Sequence, residues 1–158
     1  MSGYLRPWSG HVRVFGLEAS SAQARDRRRV CRAAPALFPL MTTHDHIALA
    51  STARGADRQL GLERAERLGL SEWLGENAGT LSTGTAKKLW YLINTLGEFD
   101  LAVLDEPFNG VDKDSIAVMA GELAQFSRHG SVMLIAHALT DEVILDRTIE
   151  IRELASGL

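Results

Sequence analysis

The chain has 158 residues, 46% hydrophobic and 23% charged, a composition that fits one soluble globular domain and excludes a disordered or fibrous protein. Its single cysteine, Cys31, excludes an internal disulfide scaffold and points to a reducing compartment. A formal charge of -3, with fourteen arginines against three lysines, supplies no general field for nucleic acid or an acidic membrane, and no nucleic-acid partner is expected.

The first ten residues lack a basic stretch followed by an apolar core and do not read as a signal peptide. His11 to Gly16 alternates Val12 and Val14 against His11 and Arg13, the period of a half-buried strand. Arg25 to Arg29 reads as a solvated helix face or loop rather than a phosphate-binding patch, because no aromatic residue interleaves the charges. Pro35 and Pro39 bracket a loop, and Thr43 to about Leu74 is helical in composition, with Gly69 as the stop after Asp57 to Leu68.

Beyond a turn at Asn77 to Gly84, the pattern predicts a helix from Thr85 to Leu96 with Leu89, Leu92, Ile93 and Leu96 as its apolar stripe. Leu101 to Leu104 is wholly apolar and predicts a strand covered on both faces, as in a parallel sheet. A helix follows at about Lys113 to Ser127, with Ile116, Met119, Ala120, Leu123 and Phe126 at helical spacing, and a second apolar strand runs from Val132 to Ala136. Strand, helix, strand, with polar residues at the strand ends, is an α/β unit whose ligands sit beyond the carboxyl ends of the strands. No apolar run is long enough to span a membrane.

Asp105 and Glu106 end the first apolar strand. Such a pair either solvates and caps a strand end, or divides the labour of holding a hydrated Mg²⁺ and orienting an attacking water. Ser82 to Thr85 is either an ordinary N-cap or a turn whose free N–H groups and helix dipole face an anion. His44 and His46 have ligand chemistry but no third or fourth partner nearby, so they read as a helix N-terminal cluster. Cys31 reads as structural, and Trp73 and Trp90 as packing residues at helical apolar positions.

Taken together, Leu101 to Pro107 with its terminal Asp-Glu-Pro, the turn Gly110-Val111-Asp112, and His137 after the next strand resemble the Walker B motif, D-loop and switch histidine of the ATP-binding cassette, the nucleotide-binding domain of ABC transporters. Leu81-Ser82-Thr83-Gly84-Thr85 is similar to the family signature Leu-Ser-Gly-Gly-Gln, departing at Thr83 and Thr85. Tyr4 to Gly16 and Pro35 to Phe38 are similar to segments elsewhere in the same family, so the likeness runs over nearly the whole of residues 1–158.

The resemblance implies a P-loop NTPase-like α/β fold, mostly parallel in its sheet, with a small helical subdomain at about 40–97 carrying the signature at its end. It implies ATP and Mg²⁺ as ligands, with Asp105 holding the metal through water, Glu106 polarising the attacking water and His137 stabilising the γ-phosphate. Ser82, Gly84 and Thr85 would close over ATP bound to an opposite subunit, with Asp112 at the dimer contact. The implied partners are a second ATPase subunit, identical or different, and a membrane-spanning permease that holds the chain at the cytoplasmic face of the membrane; the expected activity is ATP-driven transport, with export preferred.

Two departures qualify that picture. The phosphate-binding pattern Gly-x-x-x-x-Gly-Lys-Ser/Thr is absent from these residues; Gly79 and Gly84 have its spacing, but Thr85 and Ala86 stand where lysine and a hydroxyl residue belong. Arg32 and Ala33 occupy the place of the family's Q-loop glutamine. On the family's order Met1 falls inside the helix that follows the missing loop, so the fold is expected to be incomplete at its N-terminus, or else the chain is a non-catalytic module that lends its signature to a partner's ATP.

Overall fold

The computed structural model describes residues 7–138 and 141–149. A short antiparallel hairpin pairs β1 (Arg13–Val14) with β2 (Leu17–Glu18). Phe15 and Gly16 turn it with φ of 55° and 75°, the left-handed pair that matches the twist of two-residue hairpins. The paired part is thus shorter than the strand predicted over 11–16.

A one-turn helix, α1 (Ala22–Asp26), leads into β3 (Arg28–Cys31). This strand corrects the solvated reading of Arg25 to Arg29: Arg28 and Arg29 are buried, and Arg29 donates to the carbonyls of Asp26, Arg28 and Glu98 while lying over the Phe99 ring. Backbone acceptors and an aromatic face replace the water that its composition called for.

The helical stretch predicted over 43–74 is divided. Helix α2 (Thr43–Arg54) ends at Gly55 in the left-handed conformation, and α3 (Arg58–Arg67) restarts with Asp57 as its N-cap. Gly69 has φ of 66° just past α3, the stop expected of it. Two 3₁₀ turns, Ser71–Trp73 and Ala78–Thr80, precede α4 (Thr83–Asn94). Then come β4 (Leu101–Asp105), α5 (Lys113–Phe126) and β5 (Ser131–Ile135).

Strands β3, β4 and β5 form a parallel sheet in that order, with β4 central. The alternation along β4 shows why its sequence is wholly apolar. Ala102 and Leu104 enter the core made with Leu89 and Leu92 of α4 and Met119 and Leu123 of α5, whereas Leu101 and Val103 pack on the other face with Val14 and Ala19.

A polar knot fastens the helices. Arg64 of α3 donates to both carboxylate oxygens of Glu122 on α5, at 3.1 and 2.7 Å, and to Thr95 beyond α4; Arg67 and the Tyr91 hydroxyl reach the same carboxylate. Among the described residues, β3 and β5 are the sheet edges. Of the N-terminal segment similar to the family, residues 1–6 lie outside the described residues.

Candidate functional site

Parallel pairing brings the carboxyl ends of β4 and β5 side by side, with Asp105 opposite Ile135. One residue later Glu106 adopts φ of 47°, a conformation that non-glycine residues rarely take. Its backbone N–H donates to the Ile135 carbonyl, and its carboxylate accepts from the backbone N–H of His137 at 2.9 Å. The His137 ring lies in solvent, with Nε2 3.9 Å from the same carboxylate oxygen. The departure from strand geometry therefore aims Glu106 across the gap between the two strand ends, where it meets His137.

The second group forms where α4 and α5 begin. Ser82 is the N-cap of α4: its Oγ accepts from the Thr85 N–H and bonds the Thr85 hydroxyl. The helix thus starts at Thr83, two residues before its predicted start, because the serine closes its first turn. Ser82 and Thr83 are exposed at the start of this 12-residue helix, and Thr85 is buried with its N–H taken by the Ser82 cap. Gly84 packs so closely on the carbonyl oxygen of Gly110 that a Cβ there would overlap it. Asp112 caps α5, accepting from the Ser115 N–H and hydroxyl and from Lys88 Nζ at 3.0 Å. Desolvation acts to raise its pKa, but the Ser115 and Lys88 contacts outweigh it and hold the carboxyl at about 2.

Two residues missed in the sequence join these groups. Lys87 Nζ donates to the Glu106 carbonyl at 3.1 Å, and Lys88, its side chain nearly buried, pairs with Asp112. Both follow the Ser82 turn by about one helical turn, on the face toward the 106–112 loop; in a chain with three lysines, the doublet was a usable signal. Asp105, Glu106 and His137 thus gather at the strand ends, Ser82, Gly84, Thr85 and Asp112 gather at the helix starts, and the loop from Glu106 to Asp112 connects them.

Among the described residues no three or more His, Cys, Asp or Glu converge on a point where a metal ion could sit. Half-buried Asp105 offers a single carboxylate at the strand end. That fits a hard cation completed by water and phosphate oxygens, as Mg²⁺ usually is, and not a zinc cage.

The other chemically suggestive residues are structural. His46 is buried; its Nε2 accepts from the Phe38 N–H and its Nδ1 bonds the Thr42 carbonyl. Cys31 is buried, and desolvation pushes its thiol up to about 12. Trp90 packs partly and donates to the Arg32 carbonyl, whereas Trp73 lies in a 3₁₀ turn with about a third of its surface exposed, 37%. No helix of the described residues is long and apolar enough to cross a membrane.

No family model matches the chain. It is 28% identical over 148 residues to mouse ATP-binding cassette sub-family A member 7, covering 89% of this chain and 7% of that protein. It is 32% identical over 116 residues to human Phospholipid-transporting ATPase ABCA7, covering 70% of this chain and 5% of that protein. The Bacillus subtilis (strain 168) protein named for an ABC transporter ATP-binding role, AlbC, is 26% identical over 90% of this chain and 64% of its own length. The chain therefore spans a small part of the large relatives and somewhat under two thirds of the bacterial one.

In fold, it superposes on an ATP-binding subunit of an ABC transporter with a TM-score of 0.74 at 22% identity, over 85% of this chain and 59% of that one. A structure described as a cobalt transport ATP-binding protein gives 0.69 at 26% identity, over 87% and 52%. Parallel β3-β4-β5 order, the P-loop NTPase-like fold of these neighbours and sequence similarity over most of its length agree: the chain is similar in sequence and fold to the ATP-binding proteins of ABC transporters.

Proposed function

We propose that residues 1–158 are part of the ATP-hydrolysing unit of an ABC transporter, with a helical subdomain at about 40–97, acting in export through a membrane-spanning permease and paired with a second ATPase subunit. The observation that carries this reading is the contact of Glu106 with His137 at adjacent strand ends. Glu106 is placed to accept a proton from a water at the mouth of the sheet, and His137 can donate to a phosphate oxygen there. Asp105 would hold Mg²⁺, whose contribution when bound is to neutralise phosphate charge. Ser82 and Gly84 would present a hydroxyl and an amide to a phosphate group on the opposite subunit, Thr85 would serve that contact by holding the Ser82 hydroxyl, and Asp112 would face that subunit.

These residues lack the lysine-bearing phosphate loop, and positioning of the phosphates dominates this chemistry. The 158-residue chain alone is expected to hydrolyse ATP negligibly. The test measures ATP turnover by the chain alone and by the chain carrying an N-terminal Gly-x-x-x-x-Gly-Lys-Ser/Thr segment. Mg²⁺-dependent turnover only in the extended form, reduced at least ~100-fold by Glu106→Gln, is the expected result. Vigorous turnover by the chain alone, abolished by Glu106→Gln, overturns the requirement for that loop; turnover of the extended form that ignores Glu106→Gln overturns the assigned role.

A second reading, a non-catalytic module that lends its signature to a partner's ATP, is favoured by the exposed Ser82 turn in residues without the lysine loop. It predicts ATP-dependent association with an intact ATP-binding cassette subunit, measured by sedimentation and lost on Ser82→Arg.

A further inference from the structure

At the outer side of β3, away from the strand ends that carry Glu106 and His137, lies a recess of about 360 Å³ bordered by α1, β3 and the last residues of α2 and α4. Arg25, Arg28, Arg29 and Arg54 line it, and Asp26 is its one acidic lining residue. Leaving Arg28 aside, three guanidinium groups against one carboxylate leave a formal excess of two positive charges around a cavity large enough for a small organic ion.

Arg25, Arg29 and Arg54 make no side-chain ion pair among the described residues. Arg29 is buried and donates to three neutral carbonyls, those of Asp26, Arg28 and Glu98; its Nε is buried with no hydrogen-bond partner. Desolvation, then the nearby positive charge of Arg54, lowers the Arg29 pKa against the opposing pull of Asp26, although an arginine remains protonated at neutral pH. The ends of Arg25 and Arg54 are exposed. A buried cation with an unsatisfied donor beside two further cations calls for a bound counter-charge.

We propose that this recess binds a small phosphate-bearing anion, free or as the head group of a lipid, and that Arg25, Arg29 and Arg54 hold it. Planar guanidinium groups suit phosphate oxygens because two N–H donors can engage two oxygens at once. Asn94 adds a neutral amide at the rim. The site shares no residue with the ATP-related groups and stands independently of the function proposed above.

The probe is inorganic pyrophosphate, titrated calorimetrically into the full chain. The variants are Arg25→Gln/Arg54→Gln and, for equal charge removal elsewhere, Arg13→Gln/Arg128→Gln. All four side chains are exposed, so both double variants are expected to fold; Arg29 is left intact for that reason. The expected result is saturable binding with one site per chain, weakened at least ~10-fold by the first variant and less than ~3-fold by the second.

A parallel arm uses phosphatidylcholine vesicles containing roughly one-fifth phosphatidate. Vesicle binding that pyrophosphate displaces and Arg25→Gln/Arg54→Gln abolishes supports the site and identifies a lipid head group as the source; pyrophosphate binding without vesicle binding supports it with a free anion. No saturable pyrophosphate binding by the wild type, or equal weakening in both variants, overturns the proposal.

Discussion

Gly84, in the first turn of α4, lies against the carbonyl oxygen of Gly110, in the loop after β4, with no space for a Cβ between them. The obstacle is backbone, so it cannot rotate aside. Gly84→Ala must therefore move α4 or the loop, and should cost about 1–3 kcal/mol of stability. Gly121, exposed in α5, is the internal contrast: a Cβ there meets nothing within 4 Å, so Gly121→Ala should stabilise by about 0.5–1 kcal/mol. Urea unfolding midpoints of both variants check the pair; a harmless Gly84→Ala would mean that the contact does not set the position of α4.

The Glu122 carboxylate takes four donors from Arg64, Arg67 and Tyr91, and its side chain and that of Arg64 are only 14% and 11% exposed. Glu122→Ala leaves a buried guanidinium without its counter-charge and is expected to cost about 3–5 kcal/mol. Arg67→Ala, at an exposed end of the same network, should cost less than about 1 kcal/mol. Chemical denaturation of both singles and of Arg64→Met/Glu122→Leu provides the check, with the double variant expected to lose less than Glu122→Ala.

Asp112 controls part of the acid limb. Its folded pKa of about 2 lies below the ordinary 3.8, so the charged form contributes stability above pH 3.8 that is lost as pH falls through about 2. Asparagine can still cap α5 but cannot pair with Lys88. Asp112→Asn should lower stability at neutral pH and flatten its dependence between about pH 4 and 2, as followed by urea unfolding at a series of pH values. An unchanged acid slope would dismiss the charge as the cause.

Cys31 shows the opposite sign. Burial raises its pKa from 9.0 to about 12, with Lys87 opposing and Asp105 adding to the effect. The thiol form favours the fold fully below about pH 9, and that contribution disappears as pH rises toward 12. In the native chain at pH 8, Cys31 should react with a disulfide reagent far more slowly than in the urea-unfolded chain. Comparable rates would show that the thiol is open to solvent.

What the residues disclosed in advance follows from which signals compete. β4, α5 and β5 were readable because wholly apolar or helically spaced runs are bounded by Gly97, Asp112 and Gly130. β3 was not, since Arg28 and Arg29 carry the composition of a solvated face and only distant carbonyls and Phe99 make their burial tolerable. The helical stretch from Thr43 divides at Gly55 because a left-handed cap ended α2 before Asp57 could start α3. In the candidate site, the sequence order of the acidic pair and His137 was visible; the Lys87-Lys88 doublet marks a position of interest, but which groups of the loop it ties to α4 is set by tertiary placement.

Glu106 carries a side chain that its own backbone disfavours, since glycine or asparagine occupies φ of 47° with less strain. A drifting sequence has an easy stabilising exit at such a position, through one substitution that removes the carboxylate and relaxes the chain together. Glutamate standing there is a local concession of stability, and the direction of that concession favours a position selected for its charge over one selected for its fold.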